Sequence, residues 1–261
     1  MQLHLKFTGD SITVPMAYQQ LVQGLLYEAL REDPAYRRFL HETGYQTENR
    51  PFRHFVFGQL RGPYERVATD QVASGETEGR ETRPLRGNGS AGLHFPEGVS
   101  LEVRSTEGRF IQCLLNALTP GSVHRLGQNA LTVADARLTD RHVTEGEIRL
   151  RMDSPVTVHR TLDDGSTVFP DPFDAEFSRL LAGNTARKWI SLYKTDPPGG
   201  LGFAPLDVSE RDKIVTRFKG FYVTGWRGCY LLRGEPQVLD LLYQTGLGNR
   251  NAQGFGLFNL I

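Results

Sequence analysis

One order of elements is written twice along this chain, and few folds accept such a duplication. In the first half, "QLHLKFT" alternates apolar and polar residues, the period of a half-buried strand. Pro15 opens a segment in which Leu21, Leu25, Tyr27 and Leu30 fall near helical spacing. Asp33-Pro34 pairs an N-cap with a first-turn proline, so "AYRRFLHET" is expected to form a short second helix stopped by Gly44. "HFVFGQL" and "SLEVRS" read as strands, "GRFIQCLLNAL" as a helix closed by Pro120-Gly121, and "ALTVADARL" as a strand. The polar, glycine-rich stretch from Val72 to Gly98 reads as a mobile loop. In the second half "EIRLRM" is a strand and "FDAEFSRLLAGNTARKWISLY" a helix. "IVTRFKGFYVTGWRGCYLLRG" is a hairpin pivoting near Trp226-Arg227-Gly228. "QVLDLLYQ" after Pro236 is a helix, and "GFGLFNLI" the last strand. Strand, helix, strand, strand, helix, strand thus occurs twice. That order specifies an α+β chain of two tandem ferredoxin-like domains, residues 1–143 and 144–261.

Composition narrows the setting. Of 261 residues, 39% are apolar and 23% charged, which describes a folded rather than a disordered chain. No apolar run approaches the roughly 20 residues that cross a bilayer, and "MQLHLKFTGD" has no basic start or long apolar core. Cys113 and Cys229 read as unpaired thiols, which fits a reducing cytoplasm and no membrane. The net charge is zero, which argues mildly against a nucleic-acid partner. Its distribution argues the other way: residues 177–261 carry 11 basic against 6 acidic side chains, a net of +5. That excess is either a basic face or an uneven scatter of solvated charge.

The chain closes with "TGLGNRNAQGFGLFNLI", in which Gly246, Gly248, Gly254 and Gly256 bracket Asn249, Arg250, Asn251 and Gln253. Glycine lets a backbone approach a ligand closely. The segment therefore suits a lobe of backbone N–H groups that, with Arg250, accepts phosphate oxygens. A dinucleotide site would need such glycines between a strand and a following helix, and a P-loop would need Gly-Lys-Ser/Thr. Neither occurs here. The alternative is a tight helix-to-strand connector. An acidic side chain at Gly248 is expected to weaken binding at this segment while sparing the fold.

The ordered set of motifs resembles a known family. Gly-Leu-Gly-x5-Gly-Phe-Gly is similar to the glycine signature of the CRISPR-associated endoribonucleases that process precursor repeat RNA, the Cas6 family of the RAMP superfamily. "VPMAYQQLVQGLLYEAL", "FLHETGY", "FRHFVFGQL", "SPVTV" and "NTARK" follow that family's order over almost the whole chain. The resemblance implies tandem ferredoxin-like domains and one metal-independent cut per repeat. In that cut the ribose 2′-OH attacks the adjacent phosphate, leaving 5′-OH and 2′,3′-cyclic phosphate ends. It implies a repeat-RNA partner and no cofactor.

Such a reaction needs a base, an acid and donors for phosphorane charge. His41, near a helix C-terminus that favours imidazolium, is the first candidate, supported by the family's Leu-His pair; otherwise it merely caps carbonyls. Tyr27 matches a tyrosine that some members set opposite the histidine, or is a core residue. Where some members carry a lysine six residues after the histidine, this chain has Thr47, so Arg50 and Arg53 are expected to stabilise charge instead. For RNA grip the candidates are Arg187 and Lys188 on the long helix and Arg217, Lys219 and Arg227 around the hairpin. Gly246, Gly248, Arg250, Asn251, Gln253, Gly254 and Gly256 join them in the terminal loop. Trp226 is either a stacking platform or a core residue. The scattered histidines and the acidic trio Glu76, Glu78 and Glu81 form no metal pattern, so no metal is expected. A competing reading is a non-catalytic RAMP-type subunit that binds RNA beside other Cas proteins in an interference complex. The sequence permits a homodimer without requiring one.

Overall fold

In the computed structural model, residues 1–48, 50–68 and 92–261 are described. The acidic trio and most of the 72–98 stretch lie outside them. Gly92–Phe95, read as part of that loop, is instead a strand paired antiparallel with Ile12–Pro15. Pro15 accordingly ends a strand rather than opening a helix.

The first sheet contains β1 (Gln2–Thr8), β2 (Phe55–Phe57), β3 (Val99–Ser105), β4 (Val123–Leu126) and β5 (Asn129–Thr139), in the spatial order β2-β3-β1-β5-β4. Helices α1 (Gln19–Glu28) and α3 (Gly108–Ala117) present Val22, Leu25, Leu26, Phe110, Ile111 and Leu114 to one core with Leu3, Leu5 and Phe7 of β1. The rings of Phe55 and Phe110 stack at 4.3 Å within it. Between α1 and β2 stands α2 (Pro34–Arg38). Asp33 caps it by accepting the Tyr36 N–H at 3.1 Å, the role that Asp-Pro foretells.

The second sheet contains β6 (Glu147–Met152), β7 (Gly202–Asp207), β10 (Cys229–Arg233) and β11 (Phe258–Leu260), in the order β7-β10-β6-β11. Helices α4 (Ala175–Tyr193) and α5 (Pro236–Thr245) connect them. With β5 as the fourth strand of the first βαββαβ unit and β4 an extra strand at its edge, both sheets run second-third-first-fourth, all antiparallel. The chain is a tandem of two ferredoxin-like folds.

The hairpin too was misplaced from the sequence. The hairpin is β8 (Lys213–Phe218) and β9 (Phe221–Trp226), turning at Lys219-Gly220. Both turn residues have positive φ, 47° and 86°, as a two-residue primed turn requires. Trp226-Arg227-Gly228 is the passage from this inserted hairpin to β10, and Trp226 is buried, 2% exposed. Strand β7 holds Pro205, which a sheet tolerates at an edge, where β7 lies.

Polar contacts lock the two units together. Buried Arg104 on β3 donates to the carbonyls of Phe258 (2.9 Å) and Tyr243 (3.3 Å) and to Asn259 Oδ1 (2.9 Å). Arg61 pairs with Asp153, and Gln2 Nε2 donates to Gln244 Oε1 at 2.7 Å. His54, 1% exposed, meets Ser191 Oγ of α4 through Nε2 at 3.1 Å.

Candidate functional site

A cleft of about 770 Å³ lies where α1, α2 and the Arg50–Phe52 strand face the terminal glycine segment and α4. Its first-domain wall is built on an irregular turn. The α-helix stops at Arg38, and Phe39–Thr43 continues as a π-helical turn ended by Gly44 at φ 60°. His41 therefore sits in the π turn rather than in the last α turn. Such widened turns leave carbonyls without regular partners. Arg53 fills that need, with Nε donating to Leu40 O (2.6 Å) and Nη2 to His41 O (2.8 Å), and the Tyr27 hydroxyl also donates to Leu40 O (3.3 Å). The Tyr27 ring meets the exposed His41 ring edge-on, centroids 5.9 Å apart and planes at 90°. Burial raises the Tyr27 hydroxyl above the ordinary tyrosine range, against the pull of Arg53. A phenol so held is a hydrogen-bond donor at neutral pH and no base.

The opposite wall is the glycine segment. Its four signature glycines are buried, and most of its N–H groups are already committed. Leu247 N–H donates to Gly256 O (2.8 Å), Asn249 N–H to Thr157 O (2.8 Å) and Gly256 N–H to Pro155 O (3.0 Å). The expected nest of free N–H groups is thus largely spent inside the protein. At Gly248, φ is 72° and a Cβ would stand 2.5 Å from Thr157 O, so glycine is obligatory for packing. Gly248→Asp would therefore disturb the fold, contrary to the expectation from sequence.

Lys188 also departs from expectation. It is 2% exposed, and its ammonium donates to Gly246 O (2.5 Å) and to Asn251 Oδ1 (2.9 Å). Asn251 Nδ2 donates in turn to Leu247 O (3.1 Å) and Phe255 O (3.0 Å). These two side chains hold the loop from within and are not available to phosphate. Burial pushes Lys188 down to about 7.

Of the other sequence candidates, Tyr27, His41, Arg50, Arg53, Lys219, Gly248, Arg250, Asn251 and Gln253 line the cleft. Gly246, Gly254 and Gly256 shape the loop behind it. Arg187 is partly buried near Arg50 and Glu48, and burial followed by Arg50 lowers its pKa. Arg217 is exposed on the hairpin and donates to Gly220 O (3.3 Å). Arg227 reaches Gln59 Oε1 at 2.7 Å. None of these last three lines the cleft.

Arg37, His159, Arg160 and Asn184 also line it and went unread. Arg37 stands four residues before His41, a helical spacing that could have revealed it. Asn184 opens "NTARK" and His159-Arg160 directly follow "SPVTV", two stretches read as motifs without any of these residues being singled out.

Among the described residues, the cleft is lined by six cationic side chains, Arg37, Arg50, Arg53, Arg160, Lys219 and Arg250, and by no carboxylate. Arg160 pairs with Glu176 and Arg37 lies 3.7 Å from Glu28, whereas Arg50, Arg53, Lys219 and Arg250 have no acidic partner among the described residues. Burial pushes His159 down to about 4, with Arg250 and Arg50 adding, so its imidazole is neutral at pH 7. Uncompensated guanidinium groups around a neutral imidazole, a tyrosine and an exposed histidine suit a polyanion with hydrogen-bonding groups. Among the described residues no group of three or more His, Cys, Asp or Glu side chains could hold a metal ion, and no helix is long and apolar enough to cross a membrane.

Comparison with known proteins agrees. Residues 138–260 match the family model described as CRISPR associated protein Cas6, C-terminal. Over 260 residues, 94% of this chain and 82% of the relative, the sequence is 21% identical to the CRISPR-associated endoribonuclease Cas6 of Pyrococcus furiosus. The structure superposes on that of a Cas6-related protein from Pyrococcus furiosus with a TM-score of 0.78 at 16% identity, over 100% of this chain and 98% of that one. A RAMP protein that binds different RNA substrates gives 0.76 at 17% identity, over 100% and 99%.

Proposed function

Taking the chain as a member of the Cas6 family of RAMP proteins, we propose that it is an endoribonuclease that cuts precursor CRISPR RNA within its repeats. The observation that supports this most is the cleft whose described lining residues include six cations and no carboxylate, beside which His41 stands exposed against Tyr27. Phosphates supply affinity to such a surface through Arg50, Lys219 and Arg250.

In the proposed reaction the ribose 2′-oxygen bonds to phosphorus and the bond from phosphorus to the 5′-oxygen breaks. His41 takes the 2′-OH proton or supplies one to the departing 5′-oxygen. Arg50, unpaired and exposed, offsets phosphorane charge. Tyr27 donates a hydrogen bond, and Arg53 acts indirectly by fixing the turn that carries His41. The ends are 5′-OH and 2′,3′-cyclic phosphate, and no metal takes part.

A second reading, a non-catalytic RAMP-type RNA-binding subunit, is favoured by Thr47 where some members have lysine and by the engagement of Arg53 with backbone carbonyls. One experiment separates the two. Labelled repeat RNA from the same genome is incubated with the protein in excess EDTA, beside RNA with a 2′-deoxy sugar just 5′ of the cut. The nuclease reading expects a single cut that survives EDTA and vanishes with the deoxy sugar. It expects His41→Ala to abolish that cut and to retain binding within a few-fold. Tight binding without any cut would establish the subunit reading in its place.

A further inference from the structure

Among the described residues, three buried polar atoms in the cleft have no partner: Asn184 Oδ1, His159 Nδ1 and Arg250 Nε. Asn184 is only 4% exposed, and what it does expose opens on the cleft. Its backbone is held firmly. One turn further along α4, Lys188 is tied to Gly246 and Asn251, and two turns further Ser191 to His54. A buried carboxamide left unpaired costs about 1–3 kcal/mol, so its retention on a rigid helix calls for a ligand that completes it.

The chemistry of that ligand follows from charge. The arginines around the cleft suffice for phosphate, and a carboxamide adds nothing to that attraction. His159 contributes no charge either, being neutral, and it is seated against Phe169 with ring centroids 5.7 Å apart. Uncharged groups with a donor and an acceptor side by side read hydrogen-bond patterns, and in RNA those patterns belong to unpaired bases. We propose that Asn184, with His159 in the same cleft, is a specificity-determining residue that recognises one unpaired nucleobase of the bound RNA. Adenine matches a carboxamide's donor and acceptor twice, its amino group lying beside N1 on one edge and N7 on the other. It is therefore the base a carboxamide meets in two hydrogen bonds from either side, where cytosine offers a single such edge. The inference rests on the RNA-processing reading, and it assigns to the second domain a share in choosing the substrate.

The test replaces, one at a time, each adenine flanking the cut in the repeat RNA by purine riboside, which lacks the amino group, or by 7-deazaadenosine. Single-turnover cleavage and equilibrium binding are measured for the wild type, Asn184→Leu and Asn184→Asp. Thermal unfolding checks each variant, and the Asp variant, which keeps the shape but not the donor, carries the comparison if the Leu variant does not fold. The expected result is one position at which modification weakens the wild type by about tenfold or more and Asn184→Leu hardly at all. Asn184→Asp, whose carboxylate still accepts from the amino group, is weakened only with purine riboside and not with 7-deazaadenosine. Discrimination by Asn184→Leu equal to that of the wild type, or by Asn184→Asp equal with 7-deazaadenosine, or a wild type indifferent at every adenine, would overturn the proposal. If the wild type cuts nothing but its binding shows the position-specific loss and the variants' departs from it in this way, base reading stands and the nuclease reading fails.

Discussion

Asn251 and Lys188 show how far a residue's role depends on what surrounds it. In the sequence both belong to a polar, basic set suited to RNA; in the fold they form the internal brace of the glycine segment. Asn251→Ala removes three hydrogen bonds and leaves the Lys188 ammonium with one partner. We expect a loss of about 2–4 kcal/mol, read as a lower urea midpoint. Gly248→Ala forces a side chain toward Thr157 O at φ 72° and should cost about 1–3 kcal/mol in the same assay. An unchanged midpoint in either variant would contradict this account of the loop. His41, Tyr27 and Arg250 were legible as cleft residues because motif and chemistry coincided at each, and Arg50 by its charge where the motif lapsed. Asn184 and His159 were not: one lies in "NTARK" and the other beside "SPVTV", but neither motif says which of its residues faces a cleft and which a core.

Elements were legible where period and punctuation agreed: alternation in β1 and β6, Asp33-Pro34 before α2, Pro236 before α5. The inserted hairpin was placed only roughly, because Trp226-Arg227-Gly228 offers a glycine that imitates a turn while Lys219-Gly220 is the turn itself. Strand β7 was missed because Pro205 and Gly202 disguise an edge strand. The hairpin has two jobs that mutation can separate. Phe218 and Val223 pack with Phe255 beneath the glycine segment, whereas Lys219 projects into the cleft. Phe218→Ala should cost about 3 kcal/mol of stability, as a buried phenylalanine does. Lys219→Ala should leave stability within about 0.5 kcal/mol yet weaken RNA binding and reduce its salt slope by about one. Salt titration of binding, set beside denaturation, checks both halves of the claim.

Across the molecule, buried titratable groups gather at and near the domain junction. Burial pushes His54 down to about 3, with Lys188 and Lys194 adding, and His159 lies at about 4. In the unfolded chain both take up a proton near pH 6.5. The unfolded state thus binds more protons between those limits. The stability they contribute is complete above about pH 6.5 and is lost as pH falls toward 3–4. Lys188, at about 7 against an unfolded value near 10.5, has the same sign, so stability also rises from about pH 7 toward 10.5. Urea midpoints at pH 7 and pH 5 should fall with acid, and His54→Asn should flatten the slope; equal midpoints would refute it. The glycine segment adds a mechanical consequence. Ala252 is buried in the core of the first domain and its carbonyl accepts from Gln23 Nε2 at 2.7 Å, although the segment belongs by chain order to the second. It works as a rivet through both plates. The jaws of the cleft cannot be spread without pulling that rivet, so their separation is fixed when the protein folds, and the cleft meets an incoming strand as a gauge of set width.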